Sequence, residues 1–335
     1  MLCYLKNKFN CLLVVLVIFL LMGSIMFGMA KPVSLNLEDK TIVTIQPGMS
    51  ANDIGKLLYN EGMVKSIIMF RVIAKVYNME SSLQAGEYAF SKNMTTEQIV
   101  KMIAQGQTAY RQITIPEGYN IDQIATLVEQ QKIGDGKKFK ELARNYAPYS
   151  YMSSAAGVTY KAEGYIFPNT YQVPRGTTEQ QLLAILVREF DNQFTPGMRE
   201  RASELGLSTA EVITLASLVE KEAKLDGDRP VIASVFLNRL KQDMPLQSCA
   251  TIQYILGYPK VELSIEDTQL ESSYNTYQHM GLPPGPIANP GGASINAVLY
   301  PAETDYLYFV ADKEGAHHYS RSYQEHLDFI DKVRI

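Results

Sequence analysis

The chain has no tryptophan, so any surface for stacking against sugars must come from its 21 tyrosines. Its three cysteines, Cys3, Cys11 and Cys249, are too few for a disulfide framework, and no CxxC or Cys/His spacing suits a structural zinc. Cys249 stands alone in the body, where a small packed hydrophobe is the simplest reading. Positive charge is not in excess: 31 Lys and Arg against 35 Asp and Glu leave a net charge of −4. Without a basic block to neutralise phosphates, nothing supports a nucleic-acid partner. No Gly-rich phosphate loop occurs, and neither a metal nor a cofactor is expected. The 46% hydrophobic and 20% charged content is that of an ordinary folded protein.

One long apolar run is present. Residues 11–30 read CLLVVLVIFLLMGSIMFGMA, a length close to the roughly 20 residues that cross a bilayer as a helix. Lys6 and Lys8 precede this run, whereas Glu38 and Asp39 follow soon after Lys31. That bias predicts a cytoplasmic N-terminus over 1–10, a membrane anchor over 11–30 and a body outside the cytoplasmic membrane. Gly28-Met29-Ala30 also resembles a signal-peptide cleavage site, yet the run exceeds the roughly 7–15 residues of a signal core, which favours a retained anchor.

Residues 31–40 read as a linker. Then TIVTIQ (41–46) alternates as a strand does, Pro47-Gly48 turns the chain, and Ser50 to Asp53 caps a helix. The pattern recurs: Thr44-Ile45-x-x-Gly48 superposes on Thr114-Ile115-x-x-Gly118 without a gap. A second echo pairs TTEQ at 95–98 with TTEQ at 177–180, each after an extended stretch around Tyr88 or Tyr171. Duplicated strand–turn–helix units predict an α+β fold built from small sheets with helices on one face. The spacing over 41–110 is similar to a LysM-like glycan-binding module, with a larger mixed α+β domain over 111–335.

Ser208 to Glu211 is a capping box that opens a helix over 208–224. Val212, Leu215, Ala216, Val219 and Ala223 form its apolar stripe. Glu220 flanks that stripe on one side and Glu222 on the other, so either acid is able to sit half-buried, and periodicity does not choose between them. Such an acid, held against apolar neighbours, has a raised proton affinity and suits general-acid work. Lys221 is expected to face water.

Later segments add polar groups in fixed surroundings. Glu163 stands on the aromatic segment EGYIFPNTY, and LQS (246–248) lies in a loop. The run GLPPGPIANPGG (281–292) reads as a rigid wall, since flexible linkers seldom carry Ile, Leu and Asn among prolines. His317 and His318 are adjacent on a strand and point to opposite sides, which argues against a shared metal.

ASLVEKE (216–222), VFLNRL (235–240), LQS (246–248), YNTY (274–277), GLPPGPIANPG (281–291) and YLYFVAD (306–312) together resemble the endolytic murein transglycosylases, the YceG-like or MltG family. The resemblance spans roughly residues 40–330. It implies cleavage of nascent peptidoglycan glycan strands close to the membrane, with a peptidoglycan synthase as a further partner. It implies a catalytic glutamate at the first acid of ASLVEKE, Glu220. It implies substrate contacts at Glu163, Gln247, Ser248, Tyr274, Asn275 and Tyr277. One departure stands out, because Cys249-Ala250 occupies the place where many members carry Asp-Pro. Two rival readings remain at this point: a non-catalytic glycan-binding membrane scaffold, and a hydrolase that leaves reducing ends.

Overall fold

The computed structural model describes residues 16–18, 20–34, 40–152, 155–260 and 262–333. The expected cytoplasmic segment 1–10, the start of the expected anchor and residues 35–39 of the expected linker lie outside them. Within the anchor region an apolar helix covers Leu16–Ala30. Among the described residues no single helix is long and apolar enough to cross a membrane. The chain divides into two compact units, one running to Arg111 with Gln172–Gly176 added, the other comprising Gln112–Tyr171 and Thr177–Ile335.

In the first unit the order is β1 (Lys40–Ile45), α1 (Ala51–Asn60), α2 (Ile67–Val76), β2 (Gly86–Ser91) and α3 (Thr96–Ala104). Strand alternation sends Val43 and Ile45 inward and Thr44 outward. β1 pairs antiparallel with β2, placing Val43 opposite Tyr88. Tyr88 and Phe90 stack at 5.6 Å, and Ile54, Leu58, Phe70, Ile99 and Ile103 close the core around them. The unit therefore buries its apolar positions with its own residues.

The same order recurs as β3 (Tyr110–Ile115), α4 (Ile121–Gln130), α5 (Gly136–Asn145), β4 (Asn169–Pro174) and α6 (Glu179–Gln193), with β3 and β4 in one two-stranded sheet. Gly48 and Gly118 hold the equivalent turns at φ 84° and 73°, a backbone region that side chains with a Cβ rarely adopt. Ser50 with Asp53 and Asn120 with Gln123 form capping boxes at the helices that follow. The Tyr88 hydroxyl donates to the Gln84 carbonyl and the Tyr171 hydroxyl to the Phe167 carbonyl, in each case four residues back. The second echo needs a correction of one residue. Thr95 caps α3, but Thr178 rather than Thr177 caps α6, with Gln181 as its reciprocal partner.

The remainder of the second unit is α7 (Pro196–Glu204), α8 (Thr209–Glu222), α9 (Arg229–Lys241), α10 (Cys249–Leu256), α11 (Gly292–Leu299), the antiparallel hairpin β5 (Tyr308–Ala311) and β6 (His317–Ser320), and α12 (Tyr323–Val333). α8 packs against α7, α9, α10 and α11. Its expected stripe is an underestimate, because every residue from Val212 to Val219 is buried. Thr214 and Ser217 tolerate this burial because their hydroxyls donate to the carbonyls of Ala210 and Thr214. The result is a mixed α+β protein with small two-stranded sheets.

Candidate active site

The last turn of α8 sends its two acids in different directions. On one side, Glu220 Oε2 accepts the Gly291 amide at 3.1 Å and the Ser294 hydroxyl at 2.7 Å. Glu220 Oε1 lies 3.8 Å from Arg229, and the Glu220 side chain is only 7% exposed. Arg229 Nε in turn donates to the Ser294 hydroxyl at 3.0 Å. Since Gly291 is the residue just before α11, Glu220 places a carboxylate at the start of that helix, where backbone N–H groups and the helix dipole favour an anion. Its neighbours are a hydroxyl, an amide and a guanidinium, not the apolar side chains expected from the sequence.

On the other side, Glu222 Oε1 accepts the Ser248 hydroxyl at 2.5 Å. Burial pushes the Glu222 carboxyl above the usual range, against the opposing pulls of Ser248, the Ala250 amide, His317 and Lys221. Glu222 lines an open cleft of about 940 Å³ together with Gln247, Cys249, Tyr277, Tyr308 and His317. A smaller cleft of about 220 Å³ adjoins it, with Lys221 lining both. Lys221 is more than a solvated charge, because its Nζ donates to the Gly118 carbonyl at 3.3 Å.

The residues expected to touch substrate separate into two groups. Gln247 and Tyr277 line the large cleft, and Tyr277 Oη lies 3.1 Å from Cys249 Sγ at its rim. Ser248 is buried and is spent on Glu222. Glu163, Tyr274 and Asn275 are 1%, 3% and 0% exposed, so they lie inside the wall and not on it. The Asn275 amide donates to the Thr268 and Leu270 carbonyls, and its oxygen accepts the Tyr277 amide. Glu163 accepts the Ile121 amide, the Asn289 side-chain amide and the Tyr254 hydroxyl. Burial pushes its carboxyl up to about 8. The 281–292 run is the expected rigid wall: Asn289 exchanges backbone bonds with Gly118 and Tyr119, and its side chain binds Ile166, Tyr119 and Glu163.

A sequence profile of the YceG-like family matches residues 43–332. The chain belongs to the YceG-like family. A Streptococcus pneumoniae (serotype 2, strain D39) protein named endolytic murein transglycosylase is 35% identical over 328 residues, covering 88% of this chain and 58% of its own length. A Bacillus subtilis (strain 168) protein of the same name is 32% identical over 320 residues, covering 91% of this chain and 88% of its own. The crystal structure of a YceG-like protein from Listeria monocytogenes superposes with a TM-score of 0.61 at 34% identity, covering 88% of this chain and all of that one. The chain thus spans about 58% of the length of the pneumococcal relatives it matches.

This YceG-like chain also holds site residues that sequence reasoning missed. Glu117 lies over Gly291, where a Cβ would meet its carboxyl and displace that side chain. Partial burial and then the Glu220 charge push the Glu117 carboxyl upward, although the residue stays exposed. A signal for it was available in the duplication, since Glu117 stands where the first copy has Pro47. Arg229 and Ser294 carried no comparable signal, because they reach Glu220 only through the fold.

Proposed function

We propose that the chain is a membrane-anchored lytic transglycosylase that cuts peptidoglycan strands between N-acetylmuramic acid and N-acetylglucosamine. The names of its relatives support the reaction class. The observation that carries the reading is Glu220, a carboxyl 7% exposed at the end of α8 with the Gly291 amide, the Ser294 hydroxyl and Arg229 around it. Protonated Glu220 donates to the glycosidic oxygen as the bond to the anomeric carbon breaks and an oxocarbenium-like centre develops. The resulting carboxylate takes the proton of the muramic acid C6 hydroxyl, whose oxygen attacks the anomeric carbon and closes a 1,6-anhydro ring. The acid is regenerated and no water is consumed. One enzyme carboxyl suffices because the nucleophile belongs to the substrate.

The resemblance assigns this role to Glu220. We keep that assignment, with Glu222, which is held by the Ser248 hydroxyl at the large cleft, as the rival acid. Ser294 and Arg229 orient the acid, while Gln247 and Tyr277 supply sugar contacts from the wall of the large cleft.

A single-pass anchor over 11–30 in the cytoplasmic membrane, with the body outside, completes the proposal. The lysine bias supports it, as do the exposed Leu20 and Phe27 of the apolar helix. The β1-α1-α2-β2 order supports a LysM-like glycan-binding module over 41–110, and a peptidoglycan synthase is the partner that would deliver nascent strands.

The test compares Glu222→Gln with Glu220→Gln by mass spectrometry of anhydro-muropeptides, with circular dichroism to check folding. Glu220→Gln is expected to lose about 10²–10⁴-fold in rate, and Glu222→Gln much less. The opposite ranking hands the role to Glu222. Products heavier by one water indicate a hydrolase, and binding without new chain ends indicates a scaffold.

A further inference from the structure

Helix α2 carries more apolar surface than the core of its unit uses. Met69, Phe70 and Ala74 are buried against that core. Ile68, Val72 and Val76 recur at i, i+4 and i+8 and form a stripe on another side. Ile68 is 73% and Val76 74% exposed, with Val72 half-buried between them. Arg71 and Lys75 border the stripe and Lys65 precedes the helix, all three exposed. None of the three forms an ion pair among the described residues. Residues 62–79 hold these cations and no acid, in a chain of net charge −4. The same unit is pinned to the apolar helix Leu16–Ala30, because the Ser34 amide donates to the Lys92 carbonyl, just past β2, at 2.9 Å. Four residues span at most about 14 Å, and a body of this length is roughly 30 Å across. With residues 11–30 in a bilayer, the surface of this unit therefore stands at headgroup level.

We infer that the Ile68–Val76 face of α2 docks on anionic phospholipid at the outer face of the cytoplasmic membrane, with the aliphatic stripe in the interface and Lys65, Arg71 and Lys75 at the phosphates. The inference rests on the anchor reading of the proposed function and deepens it. Charge complementarity selects the partner. A helix with an aliphatic stripe beside exposed cations lies in the interface plane of an anionic bilayer, and each cation close to that surface is attracted to it. Three aliphatic side chains bind a free bilayer weakly. The pin at Ser34 makes docking an intramolecular event, which raises the effective concentration of lipid at the face. A consequence is that the first unit takes one orientation on the membrane instead of turning freely about the end of the apolar helix.

The absence of tryptophan provides a clean probe. Ile68→Trp introduces the only indole in the protein. The full-length variant is reconstituted into vesicles of phosphatidylcholine alone, or of equal parts phosphatidylcholine and phosphatidylglycerol. The readouts are the indole emission maximum and its quenching by lipids brominated on the upper acyl chain. In the anionic vesicles the emission is expected to shift to the blue and to be quenched. Adding Arg71→Gln and Lys75→Gln is expected to lower the docked-to-free ratio about thirtyfold. Retention of the chain on the vesicles after an alkaline wash tests the anchor separately. A retained chain whose indole is neither shifted nor quenched in anionic vesicles overturns the docking face and leaves the anchor standing. Quenching that survives Arg71→Gln and Lys75→Gln unchanged overturns it as well. A blue shift that grows with protein concentration and ignores brominated lipid assigns the face to a second copy of the chain, which also overturns the inference. Loss of the chain in the wash removes the anchor reading and the docking face with it.

Discussion

The two βααβα copies share a frame and differ in what they add to it. In the first copy residues 77–85 join α2 to β2, whereas in the second residues 146–168 join α5 to β4. The longer connection carries Glu163, whose carboxyl reaches the first amide of α4 and the Asn289 side chain. At the strand–helix turn the first copy has Pro47 and the second Glu117, which abuts Gly291 beside Glu220. The lesson is that the apolar periodicity builds the frame twice, and that the second copy gains its role through polar groups inserted between frame elements.

The largest expected effect tests whether that insertion is structural. Glu163→Ala leaves the Ile121 amide and the Asn289 side-chain amide buried without their acceptor, which is expected to cost about 3 kcal/mol of unfolding free energy. Glu80→Ala, in the short exposed connection of the first copy, is expected to stay within about 0.5 kcal/mol. Urea unfolding measures both, and equal losses would break the contrast. The pH dependence has a definite sign. Burial raises the Glu163 carboxyl from 4.5 to about 8, so the folded state holds a proton that the unfolded state releases. Stability therefore falls as pH rises from about 4.5 to about 8, and Glu163→Gln flattens that slope in thermal unfolding followed across the same window.

Much of the frame is readable from local spacing. The capping residues at Ser50, Asn120 and Ser208 act within three positions of themselves, and strand alternation marks Val43 and Ile45. The one-residue error at α6 arises because Thr177-Thr178 and Gln180-Gln181 are doublets, so two capping registers look alike. The all-round burial of α8 is hidden because Thr214 and Ser217 read as polar, although their hydroxyls are satisfied within the helix. The site is less legible than the frame. How Glu220 and Glu222 are held depends on Ser294 and Ser248, 74 and 26 positions away in sequence. Motif residues such as Tyr274 and Asn275 stand near the site for a structural reason, since they brace the wall from within.

A middle-sized effect probes the equivalence of the copies. Tyr88→Phe removes the donor to the Gln84 carbonyl, and Tyr171→Phe removes the donor to the Phe167 carbonyl. Each is expected to lower stability by about 1 kcal/mol, because a part-buried acceptor loses its partner. Strongly unequal losses in chemical denaturation would show that the shared i to i−4 tyrosine bond has different weight in the two copies. Such a result would confine the duplication to topology.

The smallest effect is the most discriminating. Ser50 and Asn120 cap equivalent helices with reciprocal boxes, so Ser50→Ala and Asn120→Ala should each cost about 1 kcal/mol in thermal or chemical unfolding. Only Asn120 also lines the small cleft. Calorimetry with an octasaccharide of alternating N-acetylglucosamine and N-acetylmuramic acid, in the Glu220→Gln background, should therefore show weakened binding for Asn120→Ala and unchanged binding for Ser50→Ala. Matched stability losses with divergent affinities would separate frame from function at a single equivalent position. If both variants bind alike, Asn120 is a cap and nothing more, and the second copy's contribution contracts to the neighbourhood of Glu117 and Glu163.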